Sequence, residues 1–332
     1  MLYTFTKLGQ AELMSSAFLR PALLGLTIPL LAAAQTNTPP TQSPPPRPFP
    51  NPPTGVTLLP DLVIGQGGGR DLHAQIAYPT GATGPLPAVI YIHGGGWRGG
   101  SYRNTQIYPL AKAGYFAASI EYRLSTEAHW PAQIEDCKLA VRWLRANAAQ
   151  YHVDPNRIGT WGDSAGGHLV ACLATMADVK EYEGTGGYPG VSSAVQAVVD
   201  FYGPTDLTQG EDHKLDHSNG AIGMMKTLLG ATYEENPAVY KSASPAAYVK
   251  AGDPPILIVQ GDADDLILPA QSTLFEVALT KAGVPHQLLM VKNAGHMLHP
   301  VPGKEIDPPR AEVDRTVYAF LARYLTKSVP PH

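Results

Sequence analysis

Cysteine is scarce in this chain: Cys137 and Cys172 are the two among 332 residues. Neither follows the small-residue stretch Ala32-Ala33-Ala34, which excludes a lipid-modified cysteine as a membrane tether. Both sit in apolar segments of helical spacing, "IEDCKLAVRWL" and "HLVACLATM", so they read as buried thiols acting as small hydrophobes rather than as a disulfide. Charge is also sparse. Charged residues make up 16% of the chain, the net charge is −4, and no basic run occurs. That excludes the clustered basic footprint of a nucleic-acid binder and a polybasic membrane surface, and it suits a neutral or weakly charged substrate. Long apolar runs are missing too. Ala22–Ala34 is too short to span a bilayer.

What precedes and follows that run makes it an export signal. Arg20 lies upstream, the run ends at an A-x-A site, and Gln35 comes next. Residues 1–34 are therefore expected to be a signal peptide, with Met14 as an alternative start, and the protein to be secreted or periplasmic. Residues 35–55 are dense in proline, a composition that gives an extended, semi-rigid linker. The catalytic domain is expected at 56–332.

From residue 56 the chain alternates between strand and helix patterns. "TLLPDLVIG" and "DLHAQIAYP" flank the turn "GQGGGR" and read as a hairpin. "PAVIYIHG", "AVQAVVDFYG" and "PPILIVQGD" are continuous apolar runs of buried strands. A helix is expected over 104–113, another in "PAQIEDCKLAVRWLRANAAQY" with Pro131 in its first turn, and a third after "RIGTWG". Such alternation implies an α/β fold with a mostly parallel sheet and helices on both faces. Residues 207–243 fall between two core strands and read as a small cap insert.

"GDSAG" places Ser164 between a strand and a helix, in the G-x-S-x-G pattern of a nucleophile elbow. Side chains at Gly162 and Gly166 would collide with neighbouring strands in so tight a turn. "YIHGGGW" ends an earlier strand with glycines whose N–H groups can approach a substrate. Gly94 and Gly95, with Ala165, are the candidate oxyanion donors. A nucleophilic serine needs a base, and the base a carboxylate. "IVQGDADDLILPAQS" offers Asp262, Asp264 and Asp265 past one strand. "VKNAGHMLHP" offers His296 past the next, with His299 as a more distant rival. His213 and His217 have helical spacing but lack the glutamate of H-E-x-x-H, so neither a metal nor another cofactor is expected. Trp97 and Tyr202 are candidates to line the substrate pocket or to pack in the core.

"YIHGGGWRGGS", "EYRLSTEAHWPAQIEDCKLAVRWLRANAAQY", "GDSAGGHL", "VVDFYGPTDL", "SPAAYV", "PPILIVQGDADDLILPAQS" and "AGH" together resemble the α/β-hydrolase superfamily over residues 56–326. Within it, the chain looks like bacterial esterases of the BD-FAE and hormone-sensitive-lipase-like group. The resemblance implies the α/β-hydrolase fold and a serine esterase that works through an acyl-enzyme. It selects Asp264, three residues after the strand-end Gly261, although Pro269 stands one position later than the family's proline and keeps Asp265 as an alternative. It implies small-molecule or polysaccharide-linked esters as substrates: short-chain acyl, acetyl or feruloyl. An amide hydrolase of the same fold and a catalytically silent binding protein are the competing readings.

Overall fold

The computed structural model describes Phe49, residues 51–208 and residues 219–326. All of them belong to the unit Pro48–His332. The expected signal segment, most of the linker and the His213/His217 pair lie outside the described residues.

The hairpin forms as its glycines require. Strands β1 (Val56–Gly67) and β2 (Arg70–Pro79) run antiparallel and are joined by Gly68 and Gly69 at φ 60° and 84°. Positive φ at both central residues matches the right-handed twist of the strands, and glycine adopts it without steric cost. There follow β3 (Leu86–Ile92), α1 (Ile107–Lys112), β4 (Phe116–Ile120), α2 (Ala132–Ala146), β5 (Val153–Asp163), α3 (Ala165–Thr175) and β6 (Ala197–Phe201). Helices α4 (Asn219–Leu229) and α5 (Pro237–Ser242) fill the insert. Then come β7 (Ile256–Gly261), α6 (Pro269–Ala282), β8 (His286–Val291) and α7 (Arg310–Leu321).

The sheet order is β1-β2-β4-β3-β5-β6-β7-β8. The pairs β1–β2 and β2–β4 are antiparallel and the other five are parallel. Each central strand feeds two cores, because successive side chains point to opposite faces. On β3, Ala88, Ile90 and Ile92 join Ile134, Leu144, Leu169 and Phe275 on one face. Val89 and Tyr91 join Leu110, Val317 and Leu321 on the other. Burial on both faces explains why these strands read as unbroken apolar runs. Cys137 and Cys172 are fully buried and unbridged.

Two boundaries differ from the sequence reading. Helix α1 starts at Ile107 rather than 104, because the Asn104 side chain accepts from the Gln106 N–H at 2.8 Å and holds a turn there. Strand β5 starts at Val153, where Leu86 pairs with it across the sheet, four residues before the apolar pattern begins.

The core also holds ionisable residues, Asp200 among them. Asp200 on β6 is completely buried; its Oδ1 accepts from the Gly203 N–H at 2.9 Å, and its Oδ2 has no partner. Burial pushes its pKa up to about 7. The folded state therefore binds a proton that the unfolded chain, with a pKa near 3.8, releases. Stability from this group is complete below the unfolded value and is lost as pH rises from about 4 to about 7. Asp200→Asn should remove that loss. Thermal midpoints of both proteins, taken from about pH 5 to about pH 8, should move in favour of the variant as pH rises. A gap independent of pH would contradict the assignment.

Candidate active site

The parallel strands end on one edge of the sheet, and that edge collects the reactive groups, as doubly wound sheets require. Ser164 occupies the single residue between β5 and α3, at φ 53° and ψ −117°. This conformation is strained for a residue with a side chain. Close packing holds it there. A methyl at Gly166 would overlap the Ile92 carbonyl on β3, and one at Gly162 would overlap the Gly166 carbonyl. Gly166 thus meets a neighbouring strand as expected, whereas Gly162 meets the first turn of its own following helix. The Ser164 N–H donates to the Phe201 carbonyl at 2.8 Å.

His296 lies past β8 and Asp264 past β7. The Ser164 Oγ is 3.1 Å from His296 Nε2, and His296 Nδ1 is 2.8 Å from Asp264 Oδ2. The carboxylate can only accept, so Nδ1 carries the proton and Nε2 accepts from the serine hydroxyl. The Asp264 side chain is entirely enclosed. Its Oδ1 accepts from the Leu266 and Ile267 N–H groups at 3.0 and 2.9 Å, and its Oδ2 also takes Gln260 Nε2 at 3.3 Å. Gln260 is fixed in turn by Ser272, whose hydroxyl donates at 2.9 Å. Asp262 and Asp265 are exposed, as is His299. The one-residue delay of Pro269 leaves the carboxylate register intact: Pro269 simply opens α6, and the loop before it closes on Asp264 through backbone amides.

The glycine loop follows β3. Gly95 has φ 117°, a backbone that side chains rarely adopt. A methyl at Gly94 would lie 3.3 Å from Ser164 Cβ and 2.7 Å from Asp163 Oδ2. Asp163, half-buried beside the serine, accepts from the Tyr91 hydroxyl; desolvation pushes its carboxyl above the usual range. His93 anchors the same loop. Its Nδ1–H donates to the Gly94 carbonyl at 2.8 Å, its ring stacks on Tyr122 at 4.4 Å, and burial lowers its pKa to about 4.

Trp97 and Tyr202 are both buried. The Trp97 indole N–H is buried and donates to His168 Nδ1 at 3.2 Å, while His168 Nε2–H donates to the Ala243 carbonyl at 2.7 Å. Trp97 thus supports the loop from behind. Tyr202 is buried and packs edge-on to the His296 ring at 4.9 Å between centroids, which fixes the imidazole plane. The sequence reading passed over Asp163, Tyr91 and Gln260. Asp163 sits inside the serine motif itself, but its partner Tyr91 lies on a different strand and no local pattern joins the two. Among the described residues no group of His, Cys, Asp and Glu could hold a metal ion, and no helix is long and apolar enough to cross a membrane.

A sheet led by two antiparallel strands, with a strained serine after the fifth strand and its partners after the seventh and eighth, is the architecture of the α/β-hydrolases. Within that class the chain belongs to the BD-FAE family, whose profile matches residues 74–279. Esterase LipQ of Mycobacterium tuberculosis is 35% identical over 228 residues, 67% of this chain and 53% of its own. The chain spans about half the length of the curated relatives it matches first. Among solved structures, a truncated carbohydrate esterase from gut microbiota superposes with a TM-score of 0.71 at 28% identity, covering 83% of this chain and 99% of that one. Esterase 2 of Thermogutta terrifontis, phosphonylated by sarin, superposes with a TM-score of 0.67 at 26% identity, covering 87% and 100%.

Proposed function

We propose that this protein is a serine carboxylic-ester hydrolase that works through an acyl-enzyme. The observation that carries the reading is the Ser164–His296–Asp264 hydrogen-bonded series. His296 Nε2 takes the hydroxyl proton as Ser164 Oγ attacks the ester carbonyl. Asp264 holds the tautomer and balances the imidazolium that forms. The backbone N–H groups of Gly94, Gly95 and Ala165 receive the charge that develops on the carbonyl oxygen, and the positive end of α3 points the same way. His296 then protonates the departing alcohol. Water, deprotonated by the same nitrogen, releases the acid and restores Ser164. Phosphonylation of the Thermogutta relative fits an activated hydroxyl at the equivalent step.

Short-chain acyl, acetyl and feruloyl esters, free or attached to polysaccharide, are the substrates proposed; the gut carbohydrate esterase supports the polysaccharide branch. Hydrolysis of p-nitrophenyl esters from acetate to dodecanoate, methyl ferulate and acetylated xylan tests this. No turnover across the set would sink it. Resemblance to an arylacetamide deacetylase of Bos taurus, 38% identical over 113 residues, favours amide cleavage as the second reading. A p-nitroanilide turned over faster than its matched ester would establish that alternative.

Export is part of the same proposal. The mature protein should begin at or near Gln35, and intact-mass measurement on secreted material checks it. A retained Leu23–Leu31 segment would exclude cleavage there.

A further inference from the structure

Lys138, Arg142 and Arg145 follow one another at the i, i+4 and i, i+3 spacing that places side chains on one face of α2. Lys138 and Arg142 are buried and Arg145 is half-buried. One carboxylate answers the three. Glu183 Oε1 accepts from Lys138 Nζ at 2.9 Å and from the Ser193 hydroxyl at 2.8 Å, and its Oε2 accepts from Arg142 Nη1 at 2.5 Å. Arg145 instead donates to the carbonyls of Pro155, Ser192 and Ala194. Asp178 also acts on Lys138, but it pairs with Lys250 at 3.0 Å. The face keeps a positive surplus.

The segment that covers it, "EGTGGYPGV" from Glu183 to Val191, is rich in glycine. Gly184, Gly187 and Gly190 hold φ values of 64°, 138° and 80°, so the chain arches here. A cavity of about 510 Å³ lies under the arch, lined by Arg142, Glu183, Thr185, Pro189, Val191 and glycine backbone. That volume is within the range of small-molecule sites. A side chain at Gly190 would meet nothing within 4 Å.

Arg142 is 3% exposed. Its Nε donates to the Gly187 carbonyl at 3.3 Å and its Nη1 to Glu183, whereas its Nη2 has no hydrogen-bond partner among the described residues. A charged donor buried at a cavity wall and left unpaired is costly, and an oxyanion in the cavity relieves that cost with a charge-assisted hydrogen bond. Pro189 and Val191 offer an apolar surface in the same space. None of the lining residues belongs to the serine elbow, the glycine loop after β3 or the loops that carry Asp264 and His296.

We infer that this cavity is a second binding site, separate from the hydrolytic centre, for a small organic carboxylate. The carboxylate takes the Arg142 Nη2 hydrogens, and an apolar body packs on Pro189 and Val191. The site stands whether or not the protein cleaves esters.

The test is isothermal titration with phenylacetate, on protein whose Ser164 carries a fluorophosphonate adduct that keeps the ligand out of the hydrolytic centre. Saturable binding at one site per chain is expected. Phenylacetamide, which lacks the charge, should bind about tenfold more weakly. Acetate, which lacks the apolar body, should also bind about tenfold more weakly. Arg142→Gln should weaken phenylacetate binding about tenfold. Val191→Phe fills the cavity, leaves every charge in place and should do the same; it decides the matter if Arg142→Gln fails to fold. Absence of saturable binding would overturn the inference, as would equal affinity for phenylacetamide or an affinity unchanged in Val191→Phe. If the probe does not react with Ser164, the esterase reading fails, and the same titrations on unmodified wild type and both variants still decide this site.

Discussion

Ser164→Ala should lower kcat for ester hydrolysis by about 10⁶-fold, the order found when the nucleophile of a serine hydrolase is removed, while residual catalysis over water persists through the oxyanion donors. The fold should survive, because the backbone of Ser164 and not its hydroxyl ties the elbow to β6: its N–H donates to the Phe201 carbonyl and its carbonyl accepts from the His168 N–H at 3.0 Å. A fluorophosphonate probe should label wild type at this residue and leave the variant unlabelled. Label on another serine would show that the wrong nucleophile was chosen. A companion variant separates strain from chemistry. Ser164→Gly also lacks the nucleophile, but it adopts φ 53° freely, so its thermal stability should exceed that of Ser164→Ala by about 1 kcal/mol or more.

Asp264→Asn should lower kcat by about 10⁴-fold, the effect of the matching substitution in trypsin, where the amide favours the wrong histidine tautomer. Here the reason is geometric. Asp264 is enclosed by the N–H groups of Leu266 and Ile267 and by the Gln260 amide, all donors. An asparagine that keeps its oxygen toward Leu266 and Ile267 must present its NH₂ to His296 Nδ1. The imidazole then has to accept at Nδ1 and carry its proton on Nε2, where it can no longer take one from Ser164. Asp265→Asn changes an exposed carboxylate and should stay within about twofold of wild type. Steady-state kcat for both variants on p-nitrophenyl acetate decides between them, and a large loss confined to Asp265→Asn would reverse the assignment.

The serine, the histidine and the alternation of strands with helices were legible because each rests on a short, local rule. A G-x-S-x-G between a strand and a helix forces the elbow, and apolar runs of five to seven residues force buried strands. The choice of carboxylate was harder. Three aspartates share one loop; the resemblance picked Asp264 by its distance from Gly261 and left Asp265 open, and the backbone amides that close on Asp264 are a fact of tertiary structure. Trp97 and Tyr202 were likewise open on sequence alone. A large aromatic next to a reactive group either lines a pocket or supports the group from behind, and the partner of its polar atom or ring edge is a fact of tertiary structure.

The two thiols give the molecule a clock of its own breathing. Cys137 on α2 and Cys172 on α3 are fully enclosed, and burial drives both pKa values well above that of a free thiol. Neither presents a thiolate while the helices stay docked. An aromatic disulfide reagent added to native protein can react only as often as α2 or α3 lifts from the sheet, so the slow appearance of its coloured product counts openings of the core directly beneath the nucleophile helix.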